Sequence, residues 1–377
     1  MEQNLIRRNT NLHWIGQEPN NKNNVALIIP QYNEGASTNF EKRLEYFYRI
    51  ATQFSDMLDV IIVDDGSTDD SLERIVDYYR RMPNCFFLST VQPNANKVGA
   101  LYLAIRSIRY RYVIMTDFDT DLVGLSEIPK ITELLDADPN LMGCYFRMLP
   151  FEGSGMAFLF QQLEYSLARS LYKLHMSEQT IPVMPGAGSC YKREILVSIF
   201  ASHSGLRSGE DRESTIIGQK LGFKAIYAQN IASLTRPPLS FKALLKQRRR
   251  WNLGYLETIN KERGYYYHQI TKMNLIGIRT LIDALLVILS LLFPFAILIV
   301  STYDWQVVTA LVAICYSIAV GWCLTLINLS TKESIEFKDK RLFSILYYPL
   351  YKFLVDLTAW STAIFDFIRK KTRISDW

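Results

Sequence analysis

Two long apolar runs near the C-terminus constrain this 377-residue chain more than any other feature. Ala284 to Val300 holds 17 residues without a charge, and Val307 to Ile327 holds 21. Each run approaches the roughly 20 residues that a helix needs to cross a bilayer. The chain is therefore predicted to carry a membrane region behind a water-soluble part, with spans near residues 284–303 and 307–327.

A third apolar segment, residues 342–368, has a mixed character. It contains one proline and three charged residues: Pro349, Lys352, Asp356 and Asp366. A charge at the centre of a bilayer costs about 2.5–3.5 kcal/mol, so this segment is either a third span or an interfacial helix. Two spans would return the basic tail Arg369-Lys370-Lys371 to the cytoplasm, whereas three would place it outside, and the sequence leaves both open.

The net charge of +5 is concentrated at the edges of the apolar region, in residues 248–279 and 369–373. This placement suits a membrane surface better than nucleic acid. The five cysteines are scattered and lack zinc-site spacing, which predicts reduced thiols. The first 24 residues are polar and contain no signal peptide, so the soluble part is expected in the cytoplasm.

Residues 25–148 alternate short apolar runs with longer amphipathic stretches, which is typical of a doubly wound α/β sheet. The runs predicted as buried parallel strands are 25–29, 60–63, 85–88 and 112–115. The stretches between them are predicted helices: Thr38 and Glu41 form a capping box for the first, Asp69 or Asp70 caps the second, and Lys97 opens the third.

Residues 149–270 are predicted to form the acceptor-side part of the soluble region, with helices near 153–176, 210–221 and 240–261. The predicted organisation is thus a polar segment at 1–24, an α/β half at 25–148, this part at 149–270, and a membrane region at 271–377. In a doubly wound sheet, ligands bind at the carboxyl ends of the strands.

Two acidic motifs fall at such strand ends. In Asp117-Phe118-Asp119, two carboxylates can share one divalent cation that bridges a diphosphate, and oxygen-only ligands favour magnesium or manganese. In Asp64-Asp65-Gly66-Ser67, the carboxylates can accept hydrogen bonds from a nucleobase or ribose. Solvated aspartates and an ordinary strand-to-helix turn are the structural alternatives.

Two further motifs stand at predicted helix starts. Lys97 can face a phosphate together with backbone N–H groups, although a solvated lysine is the simpler alternative. Asp211, in Gly209-Glu210-Asp211, can serve as a general base that takes a proton from an acceptor hydroxyl. Its alternative role is to cap the helix.

The segment Gln247-Arg248-Arg249-Arg250-Trp251 lies within a predicted helix. Gln247, Arg250 and Trp251 share one helix face, where the arginine can hold a leaving diphosphate and the indole can carry a sugar ring. The alternative is a basic run that meets anionic lipid, an interpretation that suits Arg248 and Arg249.

Taken together and in this order, the D, DxD, ED and QxxRW motifs resemble family 2 glycosyltransferases, in the branch of cellulose, chitin and hyaluronan synthases. The resemblance covers about residues 24–260. It implies a GT-A type fold, a doubly wound mixed α/β sheet, followed here by C-terminal transmembrane helices. It also implies an enzyme that uses a UDP-sugar and Mg²⁺ or Mn²⁺.

The resemblance also implies roles for individual residues. The uridine would be held by Tyr32, Glu34 and Asp64 or Asp65. Lys97 would approach the diphosphate, while Asp117 and Asp119 would bind UDP and its metal. Asp211 would be the catalytic base, with Glu210 beside it in the catalytic motif. The acceptor and diphosphate site would be lined by Gln247, Arg250 and Trp251, and Cys190 would lie near the acceptor end.

The expected function is therefore that of a multi-pass plasma-membrane enzyme with a cytoplasmic catalytic domain. It would transfer a sugar, with inversion, to a growing polysaccharide. The alternatives are addition of one sugar to a lipid-linked acceptor and a non-catalytic membrane partner or nucleotide sensor. Membrane lipid is an expected partner, nucleic acid is not, and a homo-oligomer or an export partner stays open.

Overall fold

The computed structural model describes residues 10–82, 86–206, 208–302, 304–330 and 342–369. Cys85, Tyr303 and the tail from Lys370 onward, all used in the sequence predictions, lie outside these ranges. The chain forms two compact units. The first comprises the residues up to 148 with Pro182–Thr235, and the second comprises Leu149–Ile181 with the residues from 236 onward.

The first unit is built on one mixed sheet. Its strands are β1 (Asn11–Ile15), β2 (Val25–Gln31), β3 (Leu58–Asp64), β4 (Phe87–Gln92), β5 (Tyr112–Met115), β6 (Thr120–Val123), β7 (Leu141–Pro150), β8 (Ser189–Lys192) and β9 (Lys224–Thr235). Their order across the sheet is β1-β4-β3-β2-β5-β8-β7-β9-β6.

The centre of this sheet confirms the predicted parallel strands. β4, β3, β2 and β5 run parallel, with β4 two residues later than predicted. Their apolar residues, such as Leu27, Ile28 and Ile62, are completely buried because helices cover both faces. β8 then pairs antiparallel with β5 and β7, which makes the sheet mixed, as expected.

The helices are numbered along the whole chain. They are α1 (Phe40–Gln53), α2 (Ser71–Arg81), α3 (Asn96–Ser107), α4 (Ile128–Ala137), α5 (Met156–Met176), α6 (Arg193–Ala201), α7 (Glu210–Lys220), α8 (Phe241–Lys261), α9 (Arg263–Thr271), α10 (Leu275–Ser301), α11 (Trp305–Ser330) and α12 (Leu342–Ile368).

The predicted capping box of α1 is wrong. The helix begins at Phe40 after Asn39, so Glu41 is its second residue rather than the third that a box anchored at Thr38 requires. Glu41 instead pairs with Arg74 of α2 at 3.1 Å. At the start of α2, Asp69 accepts a hydrogen bond from the Ser71 N–H at 3.0 Å, while Asp70 is the N-cap residue without a side-chain cap.

The second unit is helical. α12 packs along α8 and also contacts α5, α10 and α11. The ring of Phe160 in α5 stacks on Tyr351 of α12 with 4.1 Å between centroids. Two helices, α10 and residues 305–326 of α11, are long and apolar enough to cross a membrane. Whether α12 is a span or an interfacial helix remains a prediction.

Candidate active site

Asp64, at the carboxyl end of β3, organises the turn that follows. It is completely buried, and Gln31, its register partner at the end of β2, donates to its Oδ1. Its Oδ2 accepts from the Thr90 hydroxyl at 2.9 Å and from the Gly66 N–H at 3.1 Å. Gly66 has φ of +68°, and a Cβ there would lie 2.8 Å from the Val91 carbonyl oxygen. Asp64 is thus fully engaged by the protein.

Asp65 is also buried, but its hydrogen bonds face α3. Its carboxylate accepts from the Ala95 N–H at 2.7 Å and from the Asn94 amide at 2.9 Å. Burial, with a further contribution from the charge of Asp64, raises the pKa of Asp65 to about 7 despite these hydrogen bonds. Near neutral pH this carboxyl is therefore close to its titration midpoint.

The loop after β2 presents the accessible side chains of this edge. Tyr32 is exposed and Glu34 is half-buried. Asn33, with φ of +55°, ties the loop to the next one, since its Oδ1 accepts from the Thr68 N–H at 2.8 Å. Asn33 was not among the predicted site residues, although asparagine tolerates this backbone conformation better than most residues.

The segment Asp117-Phe118-Asp119 is held in place by Arg43 of α1, which was also not among the predicted site residues. This arginine is buried, and it donates to the carbonyl oxygens of Phe118 at 2.6 Å and Thr120 at 2.7 Å. It also forms an ion pair with Asp121. The available signal was a lone arginine on the apolar face of α1, flanked by Phe40, Leu44 and Phe47.

Lys97 connects two of the motifs. Its Nζ lies 2.7 Å from Oδ1 of Asp117 and 3.9 Å from Oε1 of Glu210. Burial lowers the pKa of the Lys97 ammonium, but the charges of Asp117, Asp211 and Glu210 outweigh it and keep this pKa above its ordinary value. The structure therefore brings together Lys97, Asp117, Glu210 and Asp211 in one charged cluster.

The carboxylates around Asp117 repel one another. Burial, followed by the charges of Asp119 and Asp117, raises the pKa of Glu34. Desolvation, followed by the charge of Asp117, likewise raises the pKa of Asp119. Such an excess of negative oxygen donors fits a hard divalent cation. Within the described ranges, however, no group of three or more histidine, cysteine or acidic residues forms a metal site by itself.

Asp211 lies in the first turn of α7 and is held by a backbone donor. The Gly186 N–H donates to its Oδ2 at 2.9 Å. The neighbouring carboxylate, Glu210, has a raised pKa because of burial and the charge of Asp211. The buried His203 accepts the Gly205 N–H on Nδ1 at 2.9 Å, and its Nε2 lies 3.1 Å from the Glu210 carbonyl oxygen. His203 therefore connects the loop that precedes α7 to the first residue of that helix.

Cys190 does not lie where a ligand could reach it. The residue is 1% exposed within the hydrophobic core, opposite Cys144 on the neighbouring strand. Its pKa is raised by a hydrogen bond with Cys144 and by burial, so the thiol is neutral. The expectation that Cys190 contacts the acceptor is therefore corrected, since β8 turns this side chain into the core.

In the second unit, the motif on α8 is organised by Arg248. This arginine is buried, pairs with Glu164 of α5 at 2.5 Å, and stacks 4.2 Å from the centroid of the Trp251 ring. Its Nη1 also donates to Gln247 at 3.1 Å. Trp251 remains 42% exposed and Arg250 is exposed. The lipid-facing interpretation of Arg248 is therefore wrong, because this side chain is buried within the protein. Arg249, which is exposed, forms an ion pair with Asp366 of α12.

Comparison with known proteins shows that part of this chain is similar to one family. Residues 26–200 match the model of Glycosyl transferase family 2. An N-acetylglucosaminyltransferase of Azorhizobium caulinodans is 29% identical over 240 residues, which cover 60% of this chain and 58% of the relative. One of Mesorhizobium japonicum is 30% identical, covering 60% and 54%. This chain thus spans little more than half the length of these curated relatives.

A solved structure shows the same fold. The mannosyltransferase PcManGT from Pyrobaculum calidifontis, solved with GDP-Man and Mn²⁺, superposes with a TM-score of 0.55 at 18% identity. The match covers 90% of this chain and 91% of the other. It confirms the expected GT-A type mixed α/β fold. Residues 26–200 of this chain, which lie within this fold, are the part that is similar to Glycosyl transferase family 2.

Proposed function

We propose that this protein is a membrane-anchored inverting glycosyltransferase that transfers N-acetylglucosamine from UDP-N-acetylglucosamine to a growing polysaccharide. The choice of sugar is supported by the relatives of 29% and 30% identity, which are N-acetylglucosaminyltransferases. The observation that carries the proposal is the contact of Lys97 with both Asp117 and Glu210, because it joins two distant motifs into one polar cluster.

Asp117, Asp119 and Lys97 bind the donor diphosphate in this proposal. The two aspartates would hold Mg²⁺ or Mn²⁺, which when bound offsets the negative charge of the diphosphate. Lys97 adds a charge-assisted hydrogen bond to a phosphate oxygen, in exchange for part of its contact with Asp117. The raised pKa values of Glu34 and Asp119 support this assignment, since burial desolvates both carboxyls and neighbouring carboxylate charges raise both pKa values further.

The nucleoside is bound at the neighbouring strand ends. Tyr32 supplies an exposed ring and Glu34 a half-buried carboxylate for contacts to uridine. Asp65 contributes by accepting the backbone hydrogen bond that holds the start of α3. Asp64 contributes by fixing the turn at Gly66. Cys190 is left out of the proposed site because its thiol lies in the core.

Asp211 acts as the general base. Its carboxylate takes the proton of the acceptor hydroxyl as that oxygen attacks the anomeric carbon of the donor. The bond between this carbon and the diphosphate oxygen breaks in the same step, and UDP leaves with the electron pair. A single in-line displacement inverts the anomeric configuration. Glu210, kept more easily protonated than usual, limits the negative charge beside Asp211.

On α8, Trp251 provides the platform for an acceptor sugar, and Arg250 and Gln247 bind acceptor and diphosphate oxygens. The stacking of Arg248 on one face of the indole supports this role, because it fixes the ring while 42% of Trp251 stays exposed. The apolar helices α10 and α11 anchor the enzyme, with the catalytic domain at the cytoplasmic face of the plasma membrane.

The test is turnover of the purified full chain across a panel of nucleotide sugars that includes UDP-N-acetylglucosamine, UDP-glucose and GDP-mannose. The expected result is UDP release and formation of a polymer from UDP-N-acetylglucosamine alone. Products extended by one sugar only would favour the lipid-linked single-addition alternative. Release from GDP-mannose alone would overturn the proposed donor.

A further inference from the structure

The second unit contains a cavity that the proposed chemistry does not use. It lies along α8 and α12 and has a volume of about 560 Å³. This size falls within the range of about 300–1,000 Å³ that is usual for small-ligand sites. The cavity therefore has room for a ligand of the size of a phosphate-bearing headgroup.

The α8 wall of this cavity is basic. Lys242, Lys246 and Arg249 line it and follow one helix face at four- and three-residue spacing. Arg249 is paired with Asp366, its Nε lying 2.6 Å from Oδ2. Lys242 and Lys246 are exposed, and neither has an acidic partner in the part of the chain that the structure describes. The wall thus carries two uncompensated positive charges.

The start of α8 adds to this positive potential. Ser240, which also lines the cavity, caps the helix by accepting a hydrogen bond from the Ala243 N–H at 3.2 Å. The N-terminal turn of a helix carries partial positive charge and favours an anion nearby. The charge of the lysines and the helix dipole therefore attract the same kind of ligand.

The α12 wall is small and uncharged. Thr358, Ala359 and Thr362 line it, and the hydroxyls of both threonines donate to carbonyl oxygens of their own helix. None of the described residues that line the cavity is aromatic, so these residues offer no ring on which a nucleobase could stack. The lining combines cations with short apolar side chains, which suits the junction of a phosphate and an acyl chain.

We propose that this cavity binds the phosphate headgroup of an anionic membrane lipid. The same unit carries the two helices that are long and apolar enough to cross a bilayer. Lipid headgroups are therefore the phosphate groups that we expect nearest to this unit. Free inorganic phosphate shares the headgroup chemistry and is the competing ligand. This lipid site is separate from the proposed donor site, and its test measures lipid binding rather than turnover.

The experiment uses the purified full chain in an uncharged detergent. Binding of dioleoyl phosphatidylglycerol, dioleoyl phosphatidylcholine and inorganic phosphate is measured by native mass spectrometry and by the shift in unfolding temperature. We compare wild type, Lys242→Ala/Lys246→Ala, and the control Arg263→Ala/Lys272→Ala. The control removes two charges from exposed residues of the same unit that do not line the cavity.

The expected result is preferential binding of phosphatidylglycerol to wild type and control, with about 30-fold weaker binding to Lys242→Ala/Lys246→Ala. Equal losses in both double variants would show diffuse attraction to a basic surface and overturn the proposal. Displacement of the lipid by equimolar inorganic phosphate would also overturn it, because the cavity would then be a phosphate site. Unchanged far-ultraviolet circular dichroism checks the fold of each variant.

Discussion

The Gly186 N–H donates to Oδ2 of Asp211 at 2.9 Å, and the missing side chain of Gly186 makes this approach possible. A Cβ at residue 186 would lie 2.4 Å from Oδ1 of the same carboxylate. Gly186, three residues before β8, therefore determines where the carboxylate at the start of α7 can lie. A glycine in a loop thus bears directly on the proposed catalytic base.

Gly186→Ala is expected to lower kcat by about 100-fold, because displacement of a catalytic group by about 1 Å has this effect. Binding of UDP, measured by calorimetry, should change little. The matched control is Gly264→Ala, since a Cβ there meets no atom of the described residues within 4 Å. Full turnover in Gly186→Ala would show that the position of Asp211 is not limiting.

Arg43 is expected to set the metal requirement through the backbone of Phe118 and Thr120. Arg43→Lys keeps the charge but cannot reach both carbonyl oxygens and Asp121. The Mn²⁺ concentration for half-maximal turnover should rise about 10-fold, as for loss of other residues that orient metal ligands. Arg49→Lys, on the exposed face of α1, is the control. An unchanged Mn²⁺ dependence in a folded Arg43→Lys enzyme would contradict this role.

Asp65 should make folding stability depend on pH. Its pKa in the folded protein is raised to about 7 from 3.8, so between these values the folded chain binds more protons than the unfolded chain. The free energy of unfolding therefore falls as pH rises through this window, by up to about 4 kcal/mol. Asp65→Asn should flatten the profile, as measured by denaturant unfolding at pH 5 and pH 8. Parallel profiles for the two proteins would rule out this contribution.

The centre of the sheet could be predicted because β2, β3 and β5 are continuous apolar runs buried on both faces. The outer strands were harder. β1 lies in a polar segment and gains its place only through pairing with β4, and β6 pairs with the distant β9. Such pairings depend on tertiary contacts that no local pattern encodes.

The candidate site was likewise predictable only in part. Motif order predicted roles for Lys97, Asp117 and Asp211 from their residue types, and the structure brings these three residues into one cluster. The contacts that hold these residues could not be predicted, since they join residues far apart in the sequence: Arg43 is 75 positions from Phe118, and Gly186 is 25 positions from Asp211. Cys190 was misassigned for the related reason that β8 lies between β5 and β7 and is buried on both faces, which its proximity to a loop does not reveal.

The most direct test of the proposed function compares UDP release from UDP-N-acetylglucosamine by wild type and Asp211→Asn, in the presence of Mn²⁺ and acceptor. Loss of the general base should reduce turnover by about 10²–10⁴-fold while UDP binding persists. Turnover by Asp211→Asn at the wild-type rate would contradict the assignment of Asp211 as the base, and no UDP release by wild type would contradict the proposed transfer itself.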